Sequence, residues 1–253
     1  MVKNYLTVLL GKVKQGPEFL PCGSNFEDKY DIYQDMSKLL VSSAEMHLQK
    51  IDEIIYIGGE FEHTSELFKN AFLYNYELWN KEKCNILTSE VDCLFVKESN
   101  IFEEYKDFSL FGRNPGPNVC PECGPISVNS MRYFPHTTEK EIMDYGYELF
   151  KGDNLESHSK TWQKEWDAEM GIYNKMFFKQ RDGFYTQEQN LREHLSRSSC
   201  YWHLMNGGSL KSTYNYDCDI DDAKVLAFSG TRGQQFILSE MKWYNNKFNK
   251  IKK

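Results

Sequence analysis

The sequence predicts an α/β fold in which a mixed, mostly parallel sheet is flanked by helices. Two observations carry this. Short apolar, β-branched runs alternate with longer stretches of helical period through the first half of the chain. No internal repeat or low-complexity linker breaks the 253 residues, so residues 1–253 read as one domain.

The elements follow in order. "NYLTVLLGK" (4–12) is a first strand. "YDIYQDMSKLLVSSAEMHL" (30–48) is a helix with Tyr33, Met36, Leu40, Ala44 and His47 on one face. "DEIIYIGG" (52–59) is a buried strand ending at a glycine pair. "HTSELFKNAFLYNYELWNKE" (63–82) is helical, with Leu67, Ala71, Tyr74 and Leu78 as its apolar stripe. "CNILTSEVDCLFVK" (84–97) holds two short strands with acids between them. A Pro/Cys-rich inserted loop, "FGRNPGPNVCPECGP" (111–125), precedes an extended segment, "ISVNSMRYFP" (126–135). "TEKEIMDYGYELFK" (138–151) is a helix with Thr138 and Glu141 at capping-box spacing. "SKTWQKEWDAEMGIYNKMFFKQ" (159–180) is another, and "KWYNNKFNKIKK" (242–253) reads as a basic tail.

Composition narrows the classes. A 40% hydrophobic content allows a sizeable core. No run of about 18 apolar residues occurs, so a cytoplasmic protein with no transmembrane segment is expected. Seven scattered cysteines do not suit a disulfide framework. The net charge of −7 argues against general adhesion to nucleic acid, while the basic tail leaves a phosphate or membrane-surface contact open.

The chemistry centres on Glu90 and Asp92 in "SEVD". Two carboxylates two residues apart at a strand end can converge on one hard divalent cation, Mn²⁺ or Mg²⁺. Such a cation neutralises a diphosphate and stabilises it as a leaving group. In open parallel sheets, ligands sit beyond the carboxyl ends of the strands, where these acids project. The competing reading is a solvated acidic turn.

Over roughly residues 52–233 the chain resembles the GT-A-fold, Rossmann-type glycosyltransferases that use nucleotide-sugars, and within them the glycogenin/galactosyltransferase-like retaining enzymes. "CNILTSEVDCLFVKESNIF" (84–102) is similar to their strand, D-x-D and following strand. "VNSMRYFP" (128–135) resembles their "FNSG" segment, "EMGIYN" (169–174) their "DQDxxN" segment and "AFSGTRG" (227–233) their "HxxG" segment, all in the family's order. The resemblance implies a donor that is a nucleoside diphosphate-sugar, UDP-sugar favoured, and a hydroxyl acceptor: a glycan, a protein or a hydroxymethylated DNA base. It implies Glu90 and Asp92 as metal ligands, Asn129 on the donor sugar, and Gly230, Thr231 and Arg232 with Asp92 on the diphosphate. It places Glu169 and Asn174 near the sugar or acceptor, with Asp167 as the alternative acid. Three residues depart from the pattern: Glu90 replaces the first Asp, Met131 the Gly of "FNSG", and Ala227 the His of the last segment.

Each residue has a plainer reading too. Arg232 between Gly230 and Gly233 suits bidentate phosphate binding, or an exposed turn. Trp162, Trp166, Glu169 and Tyr173 share a helical face, so Glu169 is an acid paired in the core or lining a cleft. Asn129 could equally satisfy loop backbone. "CPECG" (120–124) has zinc-knuckle spacing, and "CYWH" (200–203) offers a second pair, giving a candidate structural zinc site of Cys120, Cys123, Cys200 and His203. Ordinary free cysteines are the alternative. Two rival functions stand beside transfer: a catalytically idle nucleotide- or partner-binding relative, and a zinc-stapled interaction module.

Overall fold

A computed structural model describes residues 1–15, 26–113, 128–152, 169, 171–173, 175–176, 179–180, 201–205, 223–229 and 234–249. The fold is mixed α/β with a mostly parallel central sheet covered by helices. Its five strands are β1 (Asn4–Leu9), β3 (Glu53–Ile57), β5 (Asn85–Ser89), β7 (Ser109–Arg113) and β8 (Val128–Phe134), in the order β3-β1-β5-β8-β7. β1 pairs in parallel with both β3 and β5, while β8 is antiparallel to β5 and β7. All six residues of β1 and all five of β5 are buried. Burial on both faces explains why these strands show no apolar–polar alternation.

Alternate residues of the sheet feed two cores. Leu6, Val8, Leu87, Met131 and Tyr133 meet Met36, Leu40 and Ala44 of α1 (Phe26–His47). The same core takes Ile237, Leu238, Met241 and Tyr244 of α5 (Gln234–Asn249). Tyr5, Ile86, Leu110 and Phe134 face the opposite way, against α2 (Thr64–Glu82) and α4 (Lys140–Gly152). Consecutive crossover helices α1 and α2 thus lie on opposite faces. The crevice between β1 and β5 is therefore a topological switch point. A three-stranded sheet, β6 (Cys93–Phe95), β10 (Val225–Ser229) and β9 (Tyr201–Met205), lies on the α1 side, with β10 central, antiparallel to β6 and parallel to β9. Two short strands, β2 (Lys12–Gln15) and β4 (Glu60–His63), form a further parallel pair, and α3 (Ile101–Glu104) is a single turn. Among the described residues no helix is long and apolar enough to cross a membrane.

Several expectations are corrected. Tyr74 is exposed and Leu78 half-buried, because the buried face of α2 runs through Leu67, Phe68, Ala71, Phe72, Asn75 and Trp79. Asn75 turns inward because Thr88 accepts its side-chain N–H at 2.8 Å. The Thr138 hydroxyl makes no hydrogen bond, so no capping box forms. Thr138 instead closes a turn through its N–H to Pro135 O, and α4 starts two residues later, with Glu139 O accepting from Ile142 and Met143. Phe111–Arg113 belongs to β7 rather than to the inserted loop. Residues 242–249 are not a free tail but the end of α5, packed along α1 and meeting His47 through Asn249.

Gly146 marks the tightest packing on the α2 side. A Cβ there would meet Met176 and the Phe72 ring, the latter at 2.8 Å. The methionine end can swing away, but Phe72 stacks on Phe150 at 4.4 Å and edges against Phe134 and Tyr173. Helix propensity alone favours Gly146→Ala by about 1 kcal/mol. Overpacking of about 1–3 kcal/mol outweighs this, so urea denaturation of the variant is expected to show a net loss of stability.

Candidate functional site

The site grows from the end of β5. Its apolar run stops at Ser89, and residues 90–92 carry the chain from the central sheet into β6 of the second sheet. Val91 anchors this turn by being buried. The Phe228 N–H of β10 donates to Asp92 O at 2.9 Å and fixes its far side. The acids therefore occupy a structured crossing between sheets, not a solvated turn.

Arg132 stands beside them on β8, in register with Thr88. Its side chain is 0% exposed, and one guanidinium nitrogen, Nη2, donates to Glu90 Oε1 at 3.0 Å and forms an ion pair with Glu169 Oε1 at 2.8 Å. Its plane lies 5.2 Å from the Tyr173 ring centroid and 5.9 Å from that of Phe68, within cation–π range. Below it Thr7 Oγ1 donates to Thr88 Oγ1 at 2.9 Å, continuing a short polar stripe through the core. Among the described residues, the buried Arg132 Nε and Nη1, Glu169 Oε2 and Asp92 Oδ1 have no hydrogen-bond partner.

One guanidinium cannot neutralise three carboxylates, and the electrostatics show it. Burial raises all three acids. Glu169, only 1% exposed, is pushed up to about 8, by burial first and then by Glu90, with Arg132 opposing. Asp92 is raised well above the usual carboxylate range by burial and then by the neighbouring Glu90. Glu90 keeps a quarter of its side chain exposed, and Arg132 offsets part of its burial. Burial works against the charge on Arg132, but Glu169 and Glu90 outweigh it, so the guanidinium stays protonated. On the α1 side Tyr33 is pushed up to about 12, chiefly by burial, and its hydroxyl is hydrogen-bonded to Gln234, the first residue of α5. Both Asp92 and Glu90 add to that shift.

Of the residues expected from sequence, Glu90, Asp92 and Glu169 come together. Asn129 lies in β8 and His203 in β9, opposite Ala227, but their side chains are outside the described residues. So are Asp167, Asn174, Gly230, Thr231, Arg232, Cys120, Cys123 and Cys200. The flanks of the 230–233 stretch are placed: β10 ends at Ser229, and α5 begins at Gln234 beside Tyr33. Ala227 is fully buried. Arg132 is absent from the candidates read from sequence, and Tyr33 is read there only as part of a helix's packed face; the signal for the first is a lone cation inside the apolar run "SMRYF".

Among the described residues no group of three or more His, Cys, Asp or Glu side chains could hold a metal ion. Two carboxylates nevertheless fit the chemistry of Mg²⁺ or Mn²⁺, which is commonly bound by one or two carboxylates plus substrate phosphates and water. The unpartnered Asp92 Oδ1 is the oxygen that such an ion would complete. No family model and no curated protein sequence matches this chain.

Proposed function

We propose that the chain is a glycosyltransferase that moves a sugar from a nucleoside diphosphate-sugar, UDP-sugar favoured, to a hydroxyl acceptor. The observation that carries the reading is the Glu90–Asp92 turn. It sits at the carboxyl end of β5, at the switch point, with a buried carboxylate oxygen left unpartnered. In this reading the Asp92 carboxylate would hold Mn²⁺ or Mg²⁺, and the ion would supply charge neutralisation for the diphosphate leaving group. Gly230, Thr231 and Arg232, on the β10–α5 connection, bind the diphosphate. Glu169 and Asn174 meet the sugar or acceptor. The bond from the anomeric carbon to phosphate oxygen breaks, one to the acceptor oxygen forms on the same face, and the proton of the acceptor hydroxyl passes to the departing diphosphate. Glycan, protein and hydroxymethylated DNA base remain the acceptor classes, and the cytoplasm is the proposed compartment.

Thermal unfolding with UDP or GDP, with and without Mn²⁺, tests this. At about 100 times Kd, a bound nucleotide raises Tm by roughly 5–10 °C for a chain of this size. The rise is expected only with metal, and Asp92→Ala abolishes it. A melting curve that no nucleotide moves, with or without metal, ends the reading.

The buried Ala227, where the resemblance expects a metal-binding histidine, favours a second reading, a nucleotide-binding domain without turnover. That reading expects a nucleotide shift indifferent to Mn²⁺ and no donor hydrolysis. The Cys120, Cys123, Cys200 and His203 zinc site is tested separately by metal analysis, with about one zinc per chain expected for four-ligand coordination.

A further inference from the structure

The two acids of the turn are neighbours with different hydrogen-bond partners. Glu90 follows Ile86 and Thr88 on the β5 face that looks toward α2, and its Oε1 is taken by Arg132 at 3.0 Å. Asp92 ends the crossing. Its carbonyl is tied to β10, and among the described residues its Oδ1 has no hydrogen-bond partner. Arg132 meanwhile takes Glu169 on the same nitrogen, at 2.8 Å. With 0% exposure and aromatic rings beside the guanidinium plane, it has little room to release either acid.

We propose that Arg132 is a positioning residue: it clamps Glu90 to Glu169, removes Glu90 from the ligand set, and leaves Asp92 as the single acid of the turn that contacts the ligand. The proposal rests on the glycosyltransferase reading for the identity of that ligand, a cation-bound nucleoside diphosphate. It departs from the expectation that Glu90 and Asp92 act as an equivalent pair. The clamp also gives the longer Glu side chain a purpose, since the added methylene extends its reach from the strand end toward Arg132.

The test measures Mn²⁺-dependent UDP affinity by calorimetry on the full chain and on two isosteric variants, Glu90→Gln and Asp92→Asn. Gln keeps the Oε1 acceptor that Arg132 uses, so Glu90→Gln is expected to hold Kd within about 3-fold, the scale of an indirect effect. Asp92→Asn is expected to weaken Kd by more than 10-fold. Equal losses in the two variants would overturn the clamp while leaving the glycosyltransferase reading intact. Absence of any UDP–Mn²⁺ binding by the wild type overturns both. Should Glu90→Gln not fold, a crystal structure of the wild type with UDP and Mn²⁺ decides the point. Asp92 at coordination distance with Glu90 still on Arg132 supports the clamp, and Glu90 on the ion sinks it.

Discussion

Replacing Arg132 with methionine lowers the unfolding free energy by about 3–5 kcal/mol at pH 8, the cost of breaking a buried ion pair and stranding its partners. The partners are Glu90 and Glu169, both held by the same guanidinium nitrogen. Methionine roughly matches the aliphatic stem, so the loss reports the charge and not a cavity. At pH 5 the loss is smaller, because protons replace the missing cation on the two acids. Denaturant titrations of wild type and Arg132→Met at both pH values check the claim. A loss that does not depend on pH would mean that Arg132 acts through packing alone.

The second large effect belongs to Glu169. Its ordinary value of 4.5 rises to about 8 in the folded chain. Between those values the folded state binds more protons than the unfolded state, so stability from this group falls as pH rises. The contribution is complete below about 4.5 and gone above about 8. Glu169→Gln imitates the protonated form at every pH. Relative to wild type, the variant is therefore expected to gain on the order of 3 kcal/mol between pH 5 and pH 8.5. Asp35, Glu82 and Asp144 are shifted the opposite way by their own hydrogen-bond and charge partners, but their effect is common to both proteins and cancels in the difference. Parallel denaturation curves across the pH range would show that Glu169 stays ionised throughout.

Local pattern made much of this site legible. Apolar runs bounded by "EVD" placed β5, the turn and β6 correctly, because a buried strand on either side of two acids has few alternatives. The shared face of Glu169 and Tyr173 signalled an acid in aromatic surroundings, and both are buried. Other features depended on partners distant in sequence. Arg132 reads as the polar member of a strand until Glu90 and Glu169 are known to meet it. Asn75 displaced Tyr74 from the buried face of α2 because Thr88 offers a hydrogen bond that hydropathy cannot register. In the C-terminal segment the lysines draw the eye from the helical pattern. Its apolar residues, Ile237, Leu238, Met241 and Tyr244, follow helical spacing and mark the packed face.

The hydrogen bond from Phe228 to the Asp92 carbonyl makes the acidic crossing depend on a strand more than 130 residues further along the chain. During synthesis β5 and its turn leave the ribosome long before β10, yet β6 pairs with β10. Closing so large a loop is entropically costly and slow. Chains cut short before residue 225 would retain the strands of the central sheet but not the restraint that shapes the acidic crossing. Chains that lack β10 are thus expected to be unable to bind ligand.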